Sequence, residues 1–158
     1  MSFPTSLMIT VKPRVPPLEL RQMPKEHLNP PTLFSSLPVG FSQAVVTQGG
    51  KTVYLSGQTA WDANKQIVGG NDLGAQTRQA LRNVQLGVAA AGGTLADVVS
   101  LRIYLVNPQP GDTGTVGEAL REFFPTDKPP ASTWLGVASL AVPEFLIEIE
   151  AIALLEGA

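Results

Sequence analysis

The sequence predicts an α+β domain: a mixed sheet of about six strands with two helices packed on one face. Three observations predict it. Apolar residues alternate at period two in several short runs, they switch to helical spacing in two segments, and Gly or Pro punctuates the joins. The resulting order is β-β-(β)-α-β-α-β-β, which groups the helices against one sheet.

The first 40 residues stand apart. Eight of the 14 prolines fall there, and proline fixes φ, lacks an amide donor and restricts its predecessor. Residues 1–40 are therefore expected as an extended, non-helical arm, followed by one domain over 41–158. From Phe41 the texture changes. "FSQAVVTQ" and "KTVYLSGQT" are strand-like runs separated by Gly49-Gly50, a hairpin signal. The turn-rich "WDANKQIVGGND" leaves room for one short strand near Gln66–Val68.

Helical spacing begins at Leu73 and continues through Thr77, Ala80, Leu81, Val84 and Val88, with Arg78, Gln79 and Arg82 off that stripe. Gly92-Gly93 is a stop signal. "VVSLRIYLVN" is a strand that sets Leu101, Ile103 and Leu105 opposite Ser100, Arg102 and Tyr104. "TVGEALREFF" is a second helix, halted by Pro125. "STWLGVASL" and "FLIEIEAIALL" close the sheet.

Composition excludes several functions. At 158 residues, 44% apolar and 15% charged, the chain can bury a core as a single domain. A formal charge of −2 gives no general attraction to phosphate backbones or anionic lipid, so neither nucleic acid nor membrane is an expected partner. With no cysteine there is no thiolate nucleophile or zinc knuckle, and no metal site is expected. The one histidine, His27, is expected as a solvated side chain, which leaves a Ser-His triad without material. No run of about 18 apolar residues is present. The first 20 residues, broken by Pro4, Pro13, Pro16 and Pro17, lack the apolar stretch of a secretory signal. A soluble cytoplasmic protein is the expectation.

The last strand is the anomaly. Ile147, Ile149, Ala151 and Ala153 share one face, and Leu146, Glu148, Glu150, Ile152 and Leu154 share the other. A dry core would not accept two bare glutamates, and a solvated face would not need Ile152 and Leu154. This face is expected to meet another subunit and line a partly wet crevice. Glu150 is expected to pair with Arg102 on a neighbouring strand, and Glu148 to serve a pocket.

From Phe41 to Ala153 the chain resembles the YjgF/RidA family, also called the endoribonuclease L-PSP family. The resemblance is carried by "FSQAV", "YLSGQ", "QTRQALRNVQLGVAAAG", "ADVVSLRIYLVN", "EFFP", "PAST" and "IEIEAIA", in order. It implies a chorismate-mutase-like α+β fold, a homotrimer with ligand clefts between subunits, and no cofactor. The best-known members hydrolyse enamines and imines to 2-oxo acids and ammonia. Carried over residue by residue, Glu148 matches the glutamate that positions or activates water, and Ser56 and Gly57 match the "SGQ" positions. Phe41 falls where a tyrosine is common and Gly117 where an asparagine is common. Ser132 stands at the carboxylate-binding arginine of a "PARS"-like segment, followed by Thr133, with Trp134 at a frequent cysteine. The chain thus looks like a member of the arginine-lacking branches. Met23-Pro24 begins the part that looks like a usual family start, so residues 1–22 are expected to be an added arm or an upstream start.

Two classes of function follow. One is a hydrolase of the enamine or imine deaminase type acting on a substrate without a small carboxylate, with Glu148 orienting water and with ligand-binding positions at Phe41, Ser56, Gly57, Gly117, Ser132, Thr133 and Trp134. The alternative is a non-catalytic trimer that binds or senses a small molecule. Ribonuclease activity is the weakest reading, because an acidic chain without a catalytic histidine lacks both the electrostatic footprint and the acid–base pair.

Overall fold

The computed structural model describes residues 25–156. They form six strands and two helices: β1 (Lys25–Leu28), β2 (Ala44–Thr47), β3 (Lys51–Gln58), α1 (Leu73–Ala90), β4 (Val98–Val106), α2 (Asp112–Phe123), β5 (Ala131–Val137) and β6 (Ile147–Leu155). Short 3-10 turns occupy Leu37–Val39 and Leu95–Asp97. The strands divide into a mixed four-stranded sheet, ordered β3-β6-β4-β5, and a two-stranded ribbon of β1 and β2. β6 runs antiparallel to both β3 and β4, while β4 and β5 are parallel. The parallel pair is joined through α2, as a crossover requires.

α1 forms where the period predicted it. Its first turn is closed by Asp72, whose carboxylate accepts from the Ala75 amide at 3.0 Å. Its end is the expected double glycine. The Gly93 amide donates to Val88 O and the Gly92 amide to Ala89 O, with Gly92 at φ +90°, the paired bonds of a left-handed stop. Leu81, Val84 and Val88 are fully buried on its inner face, against Ile147, Ile149, Leu101 and Ile103 of the sheet. Each such aliphatic side chain contributes about 1.5–3 kcal/mol when removed from water. α2 joins the same core through Val116, Ala119 and Leu120. Arg78 ties the helices outside it, donating from Nε and Nη2 to both oxygens of Glu122 at 2.8 and 2.6 Å. Those bonds hold the Glu122 carboxyl below its ordinary value.

One buried amide fixes how β6 enters the sheet. Gln76 has no exposed surface, so an unused polar atom there would be costly. Its Nε2 donates to Gly70 O and Glu144 O, and its Oε1 accepts from the Leu146 amide at 2.9 Å. α1 thereby sets the position of the strand that carries Glu148 two residues later.

The structure departs from the sequence-based expectations in three places. The Gly49-Gly50 hairpin does not form: β2 pairs with β1, and β3 pairs with β6. Both glycines have positive φ, and a Cβ on Gly50 would lie 2.5 Å from Leu155 O. They serve a close crossing of the chain over the end of β6, so β3 is steered away from β2. The short strand near Gln66–Val68 shrinks to a single bridge between Trp61 and Ile67. Part of the expected arm is built into the fold, since residues 25–40 contain β1 and a 3-10 turn. The ribbon docks through Lys25, whose ammonium donates to Ala96 O and lies 3.8 Å from Asp97. Burial lowers the Lys25 pKa, with Asp97 opposing. Expectations for residues 1–22 lie outside the described residues. Among the described residues no helix is long and apolar enough to cross a membrane.

The glycines offer a paired test. Gly50→Ala should destabilise by at least about 1–2 kcal/mol, from the left-handed backbone alone. Gly114→Ala, in α2 with nothing within 4 Å of the added carbon, should stabilise by roughly 0.5–1 kcal/mol. Urea midpoints of the two variants check both signs.

Candidate functional site

Strand alternation divides the sequence-predicted site residues into two groups. On β6 the buried face is Ile147, Ile149, Ala151 and Ala153, as expected, so Glu148 and Glu150 point away from the helices. The β4 residues paired with these glutamates are Tyr104 and Arg102. Glu150 is occupied there: its Oε2 lies 3.7 Å from Arg102 Nη1, and its Oε1 accepts from the Tyr104 hydroxyl at 3.2 Å. The expected structural role of Glu150 is met, with Tyr104 as an additional partner.

Glu148 is different. It is half-buried, and among the described residues it belongs to no ion pair and no side-chain hydrogen bond. Its carboxylate lies directly on Gly57: a Cβ there would come 1.8 Å from Oε1 and 2.6 Å from Cδ. The room exists because β3 bulges. Pairing jumps from Leu55 with Ala151 to Gln58 with Ile149, so Ser56 and Gly57 together face one residue of β6. The bulge and the missing side chain give the carboxylate a ledge on the outer face of the sheet, with exposed Ser56 beside it. A carboxylate held this way, with free lone pairs, can accept a proton from a bound water.

The second group lies on the other side. Ser132 and Trp134 are registered with Leu101 and Ile103, so they share the helix-covered face, and the Trp134 indole packs against the core. Trp134 Nε1 donates to Ser132 Oγ at 2.7 Å. Thr133, between them, faces the opposite way and pairs with Arg102. β5 is an edge strand, and its start is held by the segment around Phe41. Ser42 bridges to Ala131, its amide donates to Pro130 O at 3.1 Å, and its hydroxyl donates to Pro129 O at 2.6 Å. His27 Nδ1 joins the same knot, 3.0 Å from both Ser42 Oγ and Pro129 O. The expected solvated histidine is thus a half-buried structural one. The same segment reaches α2, where the Val39 carbonyl comes within 3.6 Å of a Cβ placed on Gly117.

Within one chain the structure therefore joins Glu148, Ser56 and Gly57 on one face. It sets Ser132 and Trp134 on the helix-covered face of β5, with Phe41 next to the Ser42 bridge to Ala131, Gly117 on α2 near Val39 O, and Thr133 beside Arg102. Arg121, like Arg102, is available from sequence as a cation, with nothing in the sequence to place it in the cleft. It stands one turn after Gly117, its Nη1 3.3 Å from where a Cβ on that glycine would be. The i, i+4 spacing on α2 was the available signal.

The sequence model of the Endoribonuclease L-PSP family matches residues 36–155. The chain belongs to that family. Its fold, two helices on a mixed sheet, is the chorismate-mutase-like fold of the YjgF/RidA proteins. Among solved structures it is similar to a Rid-family protein of unknown function, YyfB from Yersinia pestis, at 44% identity and a TM-score of 0.79, covering 83% of this chain and 98% of that one. A YjgF/YER057c/UK114 family member from Mycobacterium tuberculosis matches at 33% identity, TM-score 0.56, over 84% of this chain and 100% of that one. RidA from an Antarctic Psychrobacter matches at 31% identity, TM-score 0.59, over 72% and 87%.

The ledge under Glu148 is testable in this YjgF/RidA-type fold. Gly57→Ala should fold normally yet displace the carboxylate, because the clash is with a mobile side chain, not with backbone. A crystal structure of the variant with Glu148 unmoved would contradict the contact.

Proposed function

We propose that the protein is a RidA-like hydrolase of enamines or imines, working in clefts between the subunits of a homotrimer. The single observation that carries this reading is the unpaired Glu148 carboxylate seated on Gly57 at the β3 bulge. Membership of the family supports the reaction class. The division of the site residues supports the assembly: two groups on opposite sides of one sheet can line a common cleft only when two copies meet. The outer face also supports it, since Tyr54 is 78% and Leu135 41% exposed, next to Ile152 in register with Tyr54. Such an apolar, unpartnered face is typical of an interface.

The chemistry follows from the carboxylate. Glu148 orients a water and takes its proton as the oxygen adds to the electrophilic imine carbon. The proton then passes to nitrogen, the carbinolamine collapses to a carbonyl, and ammonia leaves. Each step uses only water and the substrate, and Glu148 ends in its starting state. Ser132, at the position of the usual carboxylate-binding arginine, has its oxygen engaged by the Trp134 indole and cannot grip a carboxylate bidentately. This supports reading the chain as a member of an arginine-lacking branch. Ribonuclease chemistry is disfavoured by the only histidine, His27, being tied to Ser42 and Pro129.

The test is ammonia release from freshly generated imines, with and without Glu148→Gln. Turnover should fall about 10²–10⁴-fold in the variant, the range for loss of a general base, while light scattering gives three times the chain mass for both proteins. Wild type with no turnover but ligand-induced thermal stabilisation would replace the hydrolase with a binding protein. A monomer would remove the cleft.

A further inference from the structure

We infer that Glu150 is a positioning residue for Glu148: it occupies the two β4 groups that would otherwise bind the Glu148 carboxylate. The inference rests on the reading of Glu148 as the water-activating base, and it names what keeps that base available. It starts from the register of β4 with β6, which sets Tyr104 opposite Glu148 and Arg102 opposite Glu150 on the outer face of the sheet. Side chains directly opposite in an antiparallel pair have Cβ atoms about 4.5–5.5 Å apart, and diagonal neighbours stay within reach of long side chains. Tyr104 and Arg102 can therefore each serve either glutamate. The flanking strands bring no charge to these rows. β3 offers Ser56 and Gly57, and β5 offers Thr133 and Leu135 beside Arg102 and Tyr104.

Both β4 groups turn to Glu150. The Tyr104 hydroxyl donates to Oε1 at 3.2 Å, and Arg102 Nη1 lies 3.7 Å from Oε2. A phenol has a single proton, so once it is given to Glu150 only lone pairs remain toward a second carboxylate. The diagonal choice made by Tyr104 is the informative part, because its hydroxyl passes over its own register partner to reach Glu150. Glu148 meanwhile leans the other way, toward β3, with its carboxylate over the bare Gly57. A donor or cation turned onto Glu148 would stabilise its charged form and make it a poorer proton acceptor. It would also draw the carboxylate off the Gly57 ledge. The Arg102 and Glu150 side chains are 64% and 39% exposed, and an ion pair so open to water adds little to stability. Its consequence is the arrangement: one carboxylate holds the β4 donors, and the other is left for water.

Glu150→Ala should release Tyr104 and Arg102 to bind Glu148. Crystal structures of the full-length wild type and variant read this directly. The Glu148 carboxylate should lie on Gly57 in the first and move to Tyr104 Oη or the Arg102 guanidinium in the second. Turnover of freshly generated imines should fall about 10- to 100-fold in Glu150→Ala, the scale of a hydrogen bond to a charged group. Adding Tyr104→Phe and Arg102→Gln removes the competing groups, so the triple variant should recover most of that loss and return the carboxylate to Gly57. A merely structural Glu150 predicts the opposite, since each added substitution would compound the damage. Glu150→Gln keeps an acceptor for Tyr104 and releases Arg102 alone. Its smaller loss should be reversed by Arg102→Gln, which decides the matter if the alanine variant does not fold. A carboxylate that stays on Gly57 in Glu150→Ala, or a loss that the added substitutions do not recover, overturns the assignment. A wild type without turnover counts against the hydrolase alone, because the two crystal structures still show whether Glu150 holds the β4 groups away.

Discussion

Strict alternation along β6 is the constraint on which the rest depends. Ile147, Ile149, Ala151 and Ala153 fill a dry layer beneath α1 and α2, and a one-residue slip would drive both glutamates into it. Gln76 removes that freedom by binding the Leu146 amide just before the strand begins. Once β6 is fixed, its register with β4 and that of β4 with β5 decide every other orientation. Glu148 and Glu150 face outward, and Ser132 and Trp134 face the helices. The separation of the two groups of site residues is a consequence of sheet geometry, not of a loop placement that could relax.

Both groups use the same local device. At Gly57 and at Gly117 a missing side chain lets a charged tip lie against the backbone: a carboxylate in one case, a guanidinium in the other. Neither tip is neutralised by an ion pair among the described residues. Nearby, Glu150 is engaged by Arg102 and Tyr104, and Glu122 by Arg78.

The fold was legible wherever one local signal acted alone. The Leu73–Val88 stripe, the Gly92-Gly93 stop and the two faces of β6 were all read from spacing, since each reports burial by a single packed layer. The signals that misled were those a tertiary contact could override. Gly49-Gly50 has hairpin chemistry, but the approach of Leu155 O demanded glycine there for another reason. β1 escaped notice because a four-residue strand amid prolines has too short a pattern to reveal its partner. The candidate site was legible in its residues and not in its geometry. Glu148 and Gly57 could be named, but their contact depends on a bulge that no spacing announces.

The central claim is that one functional cleft draws on two copies of the chain, Glu148 from one and the Phe41–Ser132 edge of β5 from another. Subunit mixing tests it most directly. Chains carrying Glu148→Gln and chains carrying Phe41→Ala, each slow alone on a freshly generated imine, would be exchanged into mixed assemblies and assayed together. Random association into a closed ring should restore about a quarter of the sites, and turnover in proportion. A mixture no more active than its two parents would mean that both groups serve the same chain's site, or that they do not share one.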